Sequence, residues 1–171
     1  RPDYHKAHAN LGLILSDIGD IKGAEISLRK AIKLKPDFAD SYYNLGNILN
    51  DLGNFIEAEF SYLKAIELKP DFIKAKFNLG NTLKKLGKFK EAEKLYRNMI
   101  SINPKLADAY FNLSLIELLQ GNYEKGLKNY EFRFKKTEPP ILHGNPIISK
   151  IDSLNFQKGK KILVVSEQGL G

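Results

Sequence analysis

The chain repeats itself every 34 residues. Pro2, Pro36, Pro70 and Pro104 share that spacing, as do Gly19, Gly53, Gly87 and Gly121. So do Asn10, Asn44, Asn78 and Asn112, each followed directly by a leucine: Leu11, Leu45, Leu79 and Leu113. A period held over four copies means that one supersecondary unit is built four times. Units of this size cannot bury their apolar face alone, so they stack on one another.

The second copy, "PDFADSYYNLGNILNDLGNFIEAEFSYLKAIELK", shows what the unit is. Tyr42, Leu45 and Leu49 recur at helical spacing, and "DLGN" interrupts the pattern. Ala58, Tyr62 and Ala65 then restart it. Gly53 falls where the first helix must end, a position that favours a left-handed backbone. Pro70 closes the second helix, because proline lacks an N–H and clashes with the preceding turn. Each copy therefore reads as an antiparallel helix pair. The small residues Gly46 and Ala58 let its two helices approach closely.

The order of residues resembles that of the tetratricopeptide repeat family. The second copy supplies Tyr42, Leu45, Gly46, Leu49, Ala58, Tyr62, Ala65 and Pro70, and the first supplies His8, Leu11, Gly12, Leu15, Ala24, Leu28, Ala31 and Pro36. The third departs from the family pattern at Lys76 and Met99. The fourth departs at Glu117, Arg133 and Glu138, as expected where a stack ends. The resemblance implies an all-α, right-handed solenoid of four helix pairs over residues 1–136, with repeats at about 2–35, 36–69, 70–103 and 104–137.

In such a solenoid the first helix of each pair lines a concave groove. Asn10, Asn44, Asn78 and Asn112 then form a row along it. An asparagine amide both donates and accepts, so it can pair with a peptide backbone of any sequence. The row resembles the asparagine ladder in the repeat domain of O-linked N-acetylglucosamine transferase, which holds an extended polypeptide. Bonds from the same amides to neighbouring helices are the alternative. Tyr43, Asn47, Phe77, Asn81 and Phe111 are further groove candidates, and their aromatic members suit a core equally well.

The net charge of +7 is concentrated. Residues 72–105 carry nine basic and two acidic side chains, among them Lys74, Lys76, Lys84, Lys85, Lys88, Lys90, Lys94 and Arg97. This segment suits a solvated helical face or the docking of an acidic partner. Nucleic acid is the weaker reading, since no groove-reading or stacking pattern accompanies the charge. There is no cysteine, so no disulfide framework is available. His5, His8 and His143 lack metal-ligand spacing, no catalytic constellation falls within the repeats, and neither a metal nor a cofactor is expected there. No apolar run reaches the length of a membrane span, and a cytoplasmic location is expected.

The pattern changes after "NYEFRFKK". Residues 137–158 are proline-rich and aperiodic and read as a connector. "KKILVV" then reads as a buried parallel strand, and the "GLG" after it, with Gly169 and Gly171, as a candidate phosphate or nucleotide loop. The junction resembles that of bacterial proteins that join tetratricopeptide repeats to a glycosyltransferase domain related to the lipopolysaccharide heptosyltransferases. That resemblance implies a chain cut at the start of an α/β domain over 159–171, with a sugar-nucleotide-dependent transferase as parent. The function expected of the chain itself is protein–protein interaction, with a non-catalytic scaffold as the alternative to a transferase's N-terminal part.

Overall fold

All four period-34 glycines take the left-handed conformation, with φ of 86° at Gly19, 77° at Gly53, 72° at Gly87 and 78° at Gly121 in the computed structural model. The model describes residues 4–135. The turn around Gly53 shows the cause. The N–H of Gly53 reaches back to the Asn50 carbonyl at 3.1 Å and that of Asn54 to the Leu49 carbonyl at 2.8 Å. These bonds satisfy the last carbonyls of the helix only if the residue between them is left-handed, which glycine adopts without a Cβ clash. Lys88 to Leu83 at 2.9 Å and Asn122 to Glu117 at 2.8 Å repeat the closure.

Between these turns run α1 (Tyr4–Asp17), α2 (Ile21–Leu34), α3 (Ala39–Asp51), α4 (Phe55–Leu68), α5 (Ile73–Lys85), α6 (Phe89–Ile102), α7 (Ala107–Leu119) and α8 (Tyr123–Tyr130). A short 3-10 turn, Glu131–Lys135, follows α8. Helices α2 and α4 stop at Leu34 and Leu68, two residues before Pro36 and Pro70. Among the described residues the chain is all-helical. The connector, the strand expected after residue 160 and the loop of Gly169 and Gly171 lie outside them.

The chain divides into two compact units, Arg1–Leu95 and Tyr96–Gly171. In the first, α1 packs on α2, α2 on α3, α3 on α4 and α4 on α5, while α1, α3 and α5 are direct neighbours. In the second, α7 packs on α8, and the 3-10 turn lies against both. The core follows the repeat. Ala24, Leu28, Ala31, Ala58, Tyr62 and Ala65 are all essentially inaccessible. Ala39, Ala65, Phe72 and Ala75 form one cluster, with Tyr42 and Tyr43 packed against it.

Gly46 serves a different neighbour from the one its sequence position suggests. A methyl added there would lie 2.6–2.9 Å from the ring of Tyr62, so it is this ring, rather than Ala58, that needs the missing side chain. In the first repeat Gly12 does the same for Leu28, and the Ala24 carbonyl is also close, at 3.2 Å from such a methyl.

The first repeat departs from the others in one respect. Leu45, Leu79 and Leu113 are buried, but Leu11 in the same register is 43% exposed. Ile48 and Ile116 are buried, but Ile14 is 57% exposed. In the second repeat that face is covered by the preceding helix α2, and in the third by α4. Among the described residues no helix precedes α1.

Candidate polypeptide-binding face

The asparagine row begins with backbone geometry. Asn10, Asn44 and Asn78 occupy one phase of α1, α3 and α5, which lie side by side. The three amides are not equivalent. Asn10 is exposed, whereas Asn44 and Asn78 are half-buried. The Asn78 amide donates to Asn47 Oδ1 at 2.8 Å, and the Tyr62 hydroxyl donates to the same oxygen at 2.8 Å. Asn47 thus ties α4 of its own repeat to α5 of the next. Burial holds the Tyr62 phenol well above its ordinary pKa, so it is a donor at any physiological pH. In the second unit, Asn112 lies in the same phase on α7 and donates to the Asp108 carbonyl at 2.9 Å.

These bonds leave different capacities. The Asn78 amide also bonds with the Tyr62 hydroxyl, which leaves chiefly its carbonyl oxygen for a ligand. Neither Asn10 nor Asn44 makes a side-chain hydrogen bond among the described residues, so these two amides have the most capacity to offer a ligand. Of the aromatic candidates, Tyr43 sits between the rings of Phe72, 4.8 Å away, and Tyr62, 6.2 Å away. It belongs in large part to the seam between the second and third repeats. Phe111 contacts the Tyr130 ring at 5.7 Å. Phe77 and Asn81 are half-buried on α5.

Three of the basic residues of the third repeat are engaged within the fold. Lys88 pairs with Glu59 at 2.7 Å. Lys85 donates to Asn50 Oδ1 at 3.2 Å and lies over the Phe55 ring at 4.8 Å. Lys84 is half-buried, and that burial lowers its pKa. Among the described residues no group of three or more histidines or acids is placed to hold a metal ion, and no helix is long and apolar enough to cross a membrane. His8 packs edge-on against Tyr4, with 5.7 Å between ring centres.

One polar cluster was only half visible in the sequence. Glu117 stands in the register of Leu49 and Leu83 and is 1% exposed. Its carboxylate accepts from Arg97 at 2.8 Å and from the Asn129 amide at 2.8 Å. The acid at a leucine position was the signal. Its partners come from α6 and α8, and the period does not specify them.

Comparison with known proteins bears on the repeat fold. Tetratricopeptide repeat models match residues 39–72 and 73–106, and a related repeat model matches 12–53. A crystal structure of MamA is 27% identical, covers 77% of each chain and superposes with a TM-score of 0.71. MamA from Desulfovibrio magneticus RS-1 is 23% identical over 76% of this chain and 73% of that one, with a TM-score of 0.70. A tetratricopeptide repeat protein from Parabacteroides merdae is 23% identical over 78% of this chain and 53% of that one, with a TM-score of 0.72. At 23% identity the last two speak for the fold alone. A search of curated protein sequences gave no match. With helix pairs repeating every 34 residues and repeat models that together match residues 12–106, the chain belongs to the tetratricopeptide repeat family, whose stacked helix pairs serve as protein–protein interaction scaffolds.

Proposed function

We propose that the face built by α1, α3 and α5 binds an extended polypeptide through its main chain. The observation that carries this is the row Asn10, Asn44 and Asn78, one amide per repeat at one phase on three adjacent helices. A peptide laid across it meets donors and acceptors at regular intervals, and specificity falls to the flanking side chains. An acidic stretch in that peptide would suit the charge of the third repeat.

Asn44→Ala is the clean probe, because Asn78 is also a bonding partner within the fold. On an array of unrelated peptides, Asn44→Ala should weaken binding about 2–10-fold across the board, the worth of one net hydrogen bond. The thermal midpoint should stay unchanged. Undiminished binding across the array would overturn the reading.

A second reading makes the repeats the N-terminal part of a sugar-nucleotide-dependent glycosyltransferase. It rests on the strand-and-glycine pattern of residues 159–171 and on the junction that precedes it. The reading frame beyond Gly171 decides it: a second strand-and-helix unit supports it, and further repeats exclude it.

A further inference from the structure

Helix α4 is apolar on two sides. Its inner side buries Ala58, Tyr62 and Ala65. Its outer side carries Ile56, Phe60 and Leu63, which are 75%, 68% and 50% exposed. Their spacing of i, i+4 and i+7 makes a continuous stripe along the helix. The other repeats do not share it. The same register holds Lys22, Ile26 and Arg29 on α2, and Lys90, Lys94 and Arg97 on α6. Beside the stripe, α2 and α4 enclose a groove with Tyr42 and Leu45 among its lining residues. Among the described residues nothing covers this face. A helix apolar on both sides normally has a partner on each.

We infer that the occupant is a second copy of this chain, with the two α4 helices pairing antiparallel about a two-fold axis near Phe60. The flanking charges argue for this occupant. Glu57 and Lys64 lie seven residues apart on one side of the stripe. Antiparallel pairing sets Glu57 of each copy beside Lys64 of the other, twice over, whereas parallel pairing puts these flanks on opposite sides of the seam and forms neither contact. The same register carries Glu67 towards the N-terminus of the opposite α4. There Asn54 makes no side-chain capping bond, and the unpaired N–H groups favour a carboxylate. Within one copy Glu57 pairs with Arg29 at 2.7 Å and Lys64 with Glu67 at 2.8 Å. Both pairs are exposed and exchange at little cost. A stripe of three side chains falls short of the roughly 800 Å² per partner of a standard interface, so the dimer is weak and reversible.

Sedimentation velocity of the 171-residue chain, from low micromolar to near-millimolar concentration, tests this. The weight-average mass should climb from monomer towards dimer. Phe60→Glu should weaken association by at least about tenfold, with circular dichroism confirming an unchanged fold. Glu57→Lys and Lys64→Glu should each weaken it as well. An equimolar mixture of those two variants should dimerise again, because the mixed pair restores both contacts. A chain that stays monomeric throughout, a Phe60→Glu variant that still dimerises, or a mixture that fails to recover would each overturn the proposal.

Discussion

Asn47 shows how much one side chain does at the seam between repeats. Its carbonyl oxygen accepts two hydrogen bonds, from Tyr62 and Asn78. Asn47→Ala leaves a buried phenol and half an amide without their acceptor, which should cost about 1–3 kcal/mol in chemical denaturation. Asn44→Ala, three residues away, should cost far less, and that contrast separates the two roles. The phenols also set an alkaline limit. Burial raises the pKa of Tyr62 and Tyr96 above the ordinary value of about 10. In the unfolded chain both ionise near that value, while in the fold they stay protonated. Their contribution is therefore complete below about pH 10 and is lost as the pH rises further. Absorbance at 295 nm should show two of the eight tyrosines ionising only as the fold is lost, and Tyr62→Phe with Tyr96→Phe should remove that late phase.

Among the elements, α7 departs furthest from its copies, because it buries Glu117 where α3 and α5 place leucine. Arg97 is 47% exposed at its side chain, so only one member of the pair is fully desolvated. Arg97→Ala strands a buried carboxylate on Asn129 alone and should cost about 1–3 kcal/mol, less than the breaking of a fully buried pair. Glu117→Leu removes the charge and restores the repeat pattern, so its thermal midpoint should match or exceed that of the parent. A large loss there would mean that the acid fixes the packing of α7 on α8. The elements themselves were legible in the sequence. A strict period fixes each glycine turn, each proline stop and the inward residues of each helix. Partners were not legible. Gly46 answers to Tyr62, Asn78 to Asn47 and Glu117 to Asn129, and each choice depends on what a neighbouring helix presents. The outward stripe of α4 was missed for a related reason: periodicity finds the face that repeats, and this face belongs to one copy. The strand and glycine loop expected after residue 160 fall outside the described residues.

On the scale of the molecule, stacked repeats gain stability from neighbour to neighbour, so a repeat with an uncovered face holds less than a repeat covered on both sides. The first repeat keeps Leu11 and Ile14 in water, whereas the second buries Leu45 and Ile48. Amides of α1 should therefore exchange with solvent about tenfold or more faster than those of α3, and mass-spectrometric exchange followed peptide by peptide would show it. Equal protection would mean that the open face of α1 is covered in solution. That face also makes the chain extensible. It has the register of two interfaces already built further along, so a 34-residue unit with the sequence of the second repeat, fused directly ahead of Pro2 of the 171-residue chain, has a socket waiting for its second helix. Such a graft should dock without redesign and raise the thermal midpoint. Lengthening the molecule by whole repeats is then a matter of copying sequence, with no new contact to invent.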